Sequence, residues 1–196
     1  FMESIQDQPF QVIDELPKKN IDTGMGLERI AMIMQDKDNL FDTDLFKPLH
    51  DALLSKITVN DNKYEKIIID HIKSSTFMIS DGVVPTNEGR GYVLRRLIRR
   101  AIRAYNQLNS SNTSLTFLIE IVIDMYASSY PELQDNKDKI LKLFIKEEEI
   151  FQKTLNKGLQ EINNLISSNK SITPKDAFNL FETFGFPYEL TKEISA

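Results

Sequence analysis

There is no cysteine among the 196 residues. That excludes disulfide scaffolds, thiolate zinc sites and thiol nucleophiles. Histidine is almost as scarce. His50 and His71 stand alone, with no His/Asp/Glu cluster at ligand spacing around either. No metal site is expected, and both rings read as structural or surface groups. No Ser/His/Asp arrangement is visible. Long apolar runs are also missing: none approaches the ~18–20 residues that a membrane span needs. No secretory leader pattern opens the chain. With 41% hydrophobic and 27% charged residues, the composition supports a packed core rather than a disordered tail. A cytoplasmic globular protein is the expectation.

The net charge of −5 would ordinarily argue against a nucleic-acid partner. Its distribution argues otherwise. Of the seven arginines, only Arg29 lies outside the stretch 90–103. Residues 86–105 hold six arginines and one glutamate, a local charge of +5, so the remainder carries −10. Arginine is chosen there although lysine is the more frequent base overall, and a planar guanidinium fork suits phosphate and base edges as an ammonium does not. Glycine is clustered too. Gly24, Gly26, Gly82, Gly89 and Gly91 fall in three short stretches, where backbone freedom or close approach is needed.

Residues 1–6 and 10–15 read as short strands around the break Asp7-Gln8-Pro9, and 19–23 as a third strand. Gly24-Met25-Gly26 then leads into a helix over 27–35. Helical periodicity follows over 43–56, 63–80, 90–108, 114–129 and 138–168. Glu147-Glu148-Glu149 reads as the solvated side of the longest of these. Thr173-Pro174 reads as N-cap and first turn of a short helix, and a last helix starts at Tyr188. The fold class expected is mainly α with a small antiparallel β part. Two parts are expected, a β-plus-helix piece over 1–40 and an all-helical domain over 41–196. The chain reads as a fragment of something longer.

Two stretches carry chemistry. In Asp22-Thr23-Gly24-Met25-Gly26-Leu27-Glu28-Arg29 a strand enters a helix through Gly-x-Gly. Backbone N–H groups and a helix N-terminus then meet at one point, which suits an anion. Asp22 could pair with a ligand ammonium, and Arg29 lies one turn into the helix. The plainer reading is an ordinary strand-to-helix turn. In the second stretch, Arg95, Arg99 and Arg103 follow i, i+4, i+8, while Arg96, Arg100 and Arg103 follow i, i+4, i+7. They form a basic face opposite the stripe Leu94, Leu97 and Ile98. With Arg90 and Asn87 in front of it, this face suits a phosphodiester backbone with one amide left for base edges. In A-form RNA such an amide reaches the shallow minor groove. The plainer reading is a helix whose arginines pair with the surplus acids.

These stretches resemble a known family. Residues 21–34, IDTGMGLERIAMIM, look like motif 3 of a class II aminoacyl-tRNA synthetase in the form found in alanyl-tRNA synthetases. Residues 70–103, DHIKSSTFMISDGVVPTNEGRGYVLRRLIRRAIR, resemble the start of that family's tRNA-recognition domain, and 176–191, DAFNLFETFGFPYELT, resemble its end. The resemblance implies that 1–40 is the C-terminal edge of a class II synthetase core. It implies an ATP- and Mg²⁺-dependent ligation of alanine to tRNA(Ala), with a G·U pair read in the acceptor stem. It places Asp22 at the alanine ammonium and Gly24 in the same pocket. Gly26 and Arg29 fall at the ATP end, with Arg29 catalytic against the γ-phosphate. Asn87 falls at the G·U pair, and Arg95, Arg96, Arg99 and Arg100 along the stem; Arg90 and Arg103, on the same helix, are expected to bind tRNA with them. The family's second G·U reader is an Asp in LYDTYGFP. Here LFETFGFP puts Glu182 there, one methylene longer with the same acceptor oxygens.

Motifs 1 and 2 have no counterpart in the sequence, and neither does the zinc-bearing editing domain. The isolated chain is therefore expected not to activate alanine; ATP–pyrophosphate exchange above a no-enzyme control would contradict this. Two other readings remain open at this point: a stand-alone helical RNA-binding module without ligase activity, and a helical protein scaffold.

Overall fold

The computed structural model describes residues 2–5, 8–15, 17–108, 113–167, 172–184, 186 and 191–192. The helix expected from Tyr188 lies almost wholly outside the described residues; Thr191 and Lys192 are helical. The chain divides into two compact units, Phe1–Lys47 and Pro48–Ala196.

In the first unit, β1 (Met2–Ile5) and β2 (Gln8–Glu15) pair antiparallel, with register irregularities on either side of Ser4. The expected β part needs correction. The described residues are mainly helical, and the β part is reduced to these two strands, which form no larger sheet. Residues 19–23, read as a third strand, take no ladder and lie exposed. A short segment becomes a strand only where a neighbour supplies hydrogen-bond partners, and no described segment does so here. Helix α1 (Leu27–Met34) follows, then a 3-10 turn over Leu40–Asp42. Gln35 and Asp44 tie these together, since the Gln35 amide donates to Asp44 Oδ1 at 2.6 Å and accepts from the Asp44 N–H at 3.1 Å.

The second unit is a helical bundle. Helix α2 (Lys47–Leu54) starts four residues later than periodicity suggested. Pro48 lacks an N–H and is tolerated only in a first turn. Next come α3 (Asn62–Ser80), capped by Asp61, and α4 (Gly89–Leu108). Then follow α5 (Thr116–Tyr126), the short α6 (Pro131–Asp135), α7 (Lys137–Ser167) and α8 (Pro174–Phe184). Helix α6 has too few residues to show a period, and only Tyr130-Pro131 marks its start. The core is built from full burial of Leu49 and Leu53, Ile68 and Ile72, Leu94 and Ile98, Val122 and Ile123, and Ile140, Phe144 and Phe151. Apart from the adjacent pair Val122 and Ile123, these lie at i, i+4 or i, i+7 on their helices, and at about 25 cal/mol per Å² of apolar area their burial is the main stabilising term. Thr58 and Val59 close the far end of α4, each donating its N–H to the Leu108 carbonyl at 2.9 and 3.1 Å.

Helix α8 carries a reciprocal cap. The Thr173 N–H donates to Asp176 Oδ2 at 2.9 Å, and the Asp176 N–H to Thr173 Oγ1 at 3.3 Å. Beyond it, Phe186 is fully buried on the backbone of α7 at Gly158. A Cβ at Gly158 would lie 2.2 Å from Phe186 Cδ2, so the approach needs glycine. Gly158→Val is expected to cost about 1–3 kcal/mol by overpacking and to loosen the α8 end selectively. Urea unfolding with hydrogen exchange of 174–184 checks this; unchanged stability would contradict it.

Candidate nucleic-acid interface

The loop between α3 and α4 is set at both ends by glycine. Gly82 has φ +88° just past the end of α3. Its N–H donates to the Ile79 carbonyl and that of Val83 to the Met78 carbonyl, both at 3.0 Å. This is a Schellman stop, which requires the left-handed residue. Gly89, φ +56°, opens α4. Gly91 acts differently. It is buried in the first turn of α4, and a Cβ there would meet Thr86 Oγ1 at 2.1 Å and the Val84 carbonyl oxygen at 2.4 Å. Its missing side chain lets 84–86 lie directly on the helix. Thr86 Oγ1 then donates to the Glu88 carbonyl at 2.9 Å, closing the loop around Asn87.

Asn87 is exposed, and Arg95 Nη1 donates to its Oδ1. Arg95 is itself held from below. Its Nε lies 3.3 Å from Glu147 Oε1, and Arg99 Nε donates to the same oxygen at 2.7 Å. Arg99 also lies over the Phe151 ring, 5.2 Å from its centroid. The side chains of Arg95, Arg99 and Glu147 are 23%, 13% and 3% exposed. Arg103 is half-buried. Arg90, Arg96 and Arg100 are exposed. The arginine face thus splits into two rows. One, toward α7, holds the buried carboxylate; the other, Arg96 and Arg100 with Tyr92 one turn before them, faces solvent.

The reading of Glu147–Glu149 as a solvated side is corrected. Glu147 is buried on the two arginines. Glu148 accepts from Ser114 Oγ at 2.6 Å and from the Leu115 N–H at 3.4 Å. Burial pushes its carboxyl above the usual range, against the lowering effect of those two bonds. Only Glu149 is exposed. The missed signal was phase: Ile140, Phe144, Glu147, Phe151 and Leu155 share one face, so Glu147 stands inside an apolar stripe.

Both histidines have a carboxylate partner at 2.8 Å, His50 with Glu65 and His71 with Asp70. The bond from His71 chiefly holds the Asp70 carboxyl below its usual range, with Lys73 and Arg100 adding to the effect. Among the described residues no group of three or more His, Asp or Glu could hold a metal ion. None of the described helices is long and apolar enough to cross a membrane.

In the first unit, Asp22, Gly24, Gly26 and Arg29 are all exposed, and 19–26 has no regular structure. Gly26 is the extended N-cap of α1 and has no side chain to cap it. A Cβ on it would lie 3.7 Å from Cγ and Cδ of Arg29, so that side chain folds back over the helix start. First-turn N–H groups and a guanidinium stem at one point are chemically fit for a phosphate. Glu182 sits on α8, and its side chain lies outside the described residues.

Along the chain, an irregular glycine-containing segment leads into α1, and the arginine helix α4 comes later with the Asn87 amide at its mouth. The family described as tRNA synthetases class II (A) matches residues 1–196, and the chain belongs to that family. The relatives narrow it further. The chain is 46% identical over 192 residues to alanine–tRNA ligase 1 of Lachnoclostridium phytofermentans, covering 92% of this chain and 22% of that protein. It is 45% identical over 199 residues to alanine–tRNA ligase of Lactiplantibacillus plantarum, covering 95% and 23%. It is 45% identical over 192 residues to that of Bacillus subtilis, covering 92% and 22%. The chain therefore spans about a fifth of the length of these relatives.

Proposed function

We propose that this chain is the part of an alanine–tRNA ligase that supplies the motif 3 turn and reads the acceptor stem of tRNA(Ala). The reading rests first on the Asn87 amide held by Arg95 beside an exposed arginine row. The 43–46% identity to alanine–tRNA ligases over most of the chain supports it.

The chemistry of the readout follows from the donors. Arginine has no acceptor, so Asn87 must turn its oxygen to Arg95, which leaves Nδ2 as a donor facing out. Minor-groove edges offer pyrimidine O2, purine N3 and 2′-hydroxyl acceptors to such a donor. In a G·U wobble the guanine exocyclic amine is left without a partner in that groove, and a carboxylate can accept from it. Glu182 is assigned that task. Arg96 and Arg100, with Arg90 and Arg103, are assigned to the phosphates; Arg95 and Arg99 hold the helix and its loop on α7.

In the first unit, Asp22 and Gly24 are assigned to the alanine amine and its pocket, and Gly26 and Arg29 to ATP. When bound with Mg²⁺, ATP would supply the adenylyl group for the alanine carboxylate, with pyrophosphate as the leaving group. Arg29 contributes a fixed positive charge where negative charge develops. Zinc is assigned to the editing domain of the full-length enzyme. A cytoplasmic location goes with a role in protein synthesis.

Asn87→Ala is expected to remove most of the preference for a G·U over a G·C acceptor-stem hairpin. Its effect on G·U binding should be about 1 kcal/mol, the net worth of one hydrogen bond, with the salt dependence intact. Fluorescence titration of both hairpins checks this. Equal loss for both stems would mean that Asn87 only shapes the loop.

A further inference from the structure

Glu147 has no assigned role in RNA reading, yet the arrangement at the interface ends on it. It is the sole acid within the buried face of α7 that runs through Phe144 and Phe151 among the described residues, and it is 3% exposed. A carboxylate there is unfavourable unless paired and hydrogen-bonded. Arg99 would suffice as that partner, since its Nε donates at 2.7 Å. Arg95 nevertheless converges on the same oxygen at 3.3 Å and extends outward to Asn87 Oδ1. Arg95 is a long side chain with many rotamers, and Asn87 sits on an exposed loop. An exposed arginine left to itself would not hold an amide in one orientation.

We propose that Glu147 is a specificity-determining positioning residue. Its buried charge fixes Arg95, and Arg95 fixes which way the Asn87 amide faces the stem. The inference rests on Asn87 reading the G·U pair. It adds that discrimination depends on a carboxylate in the core of α7, remote from any nucleotide. The charge matters more than the shape. A glutamine at 147 keeps one acceptor oxygen but loses the charge that pairs with both guanidinium groups, and with it the charge assistance of the Arg99 bond.

The test titrates G·U and G·C acceptor-stem hairpins against the chain carrying Glu147→Gln, Asn87→Ala, or both. A thermal melt of each variant accompanies the titrations. Glu147→Gln is expected to lower the G·U preference several-fold while leaving the slope of log affinity against log salt unchanged. In the double variant the preference should fall no further than in Asn87→Ala alone. A merely structural role would weaken both stems together and leave their ratio intact. Should Glu147→Gln not fold, Arg95→Lys replaces it. It keeps a positive charge near Glu147 but cannot span both partners, and the same loss of preference is expected. Loss in Asn87→Ala with full preference in Glu147→Gln or Arg95→Lys would overturn this inference alone. Additive losses in the double variant would overturn it as well. Full preference in Asn87→Ala would overturn the reading of Asn87 and this inference with it.

Discussion

Gly91→Ala is expected to bring the G·U preference close to one while changing global stability little. The added methyl would stand 2.1 Å from Thr86 Oγ1 and 2.4 Å from the Val84 carbonyl oxygen. A backbone carbonyl cannot rotate away as a side chain can, so 84–86 must lift off the helix. Overpacking of this kind costs about 1–3 kcal/mol. Replacing glycine inside a helix returns up to about 1 kcal/mol. The two nearly offset, and a melt should shift by only a few degrees. What does not recover is the loop's position. Asn87 follows Thr86 directly, so displacement carries it away from Arg95. Hairpin titration alongside hydrogen exchange of 83–88 separates the effects. An unaltered preference with raised exchange in the loop would show that Asn87 reads the stem without being held.

Replacing the outer row by Arg96→Ala with Arg100→Ala is expected to produce the largest loss of affinity. Each phosphate contact removed should lower the magnitude of the salt slope by about 0.7–0.9. The pair should therefore lose roughly 10- to 100-fold in affinity at low salt, by that same counterion-release relation. Both stems should weaken alike, because phosphate contacts carry no base identity. Arg99→Ala provides the contrast. Arg99 is 13% exposed and bonded to a buried carboxylate, so its removal should appear first as lost stability. Titrations across a salt series decide. A slope unchanged in the outer double variant would place the RNA elsewhere on the chain.

The helices of the second unit were legible because their apolar spacing survives into the core: Ile68 and Ile72, Leu94 and Ile98, Phe144 and Phe151 are all buried. The cluster of arginines was equally plain as composition. Its division into two rows was not, since that depends on α7 lying beside α4, a tertiary fact. Glu147 was read by its neighbours in sequence, as one of three acids, when its phase on the helix placed it with Phe144 and Phe151. The segment 19–23 reads as a third strand but finds no partner among the described residues. Gly158 gave no local sign, because the ring that needs its space belongs to Phe186, beyond the following helix. The motif around Asp22 to Arg29 was readable in order and spacing. Its chemistry is supported in the structure only by an uncapped helix start and an arginine folded over it.

We propose that this acidic chain carries one RNA-reading face and that this face recognises a G·U pair. The most direct measurement is a titration of the unmodified chain with two acceptor-stem hairpins that differ only in having G·U or G·C at that position, at several salt concentrations. The expected result is salt-dependent binding to both, with several-fold tighter binding to the G·U stem at every salt concentration. Equal affinity for the two stems would contradict the claim.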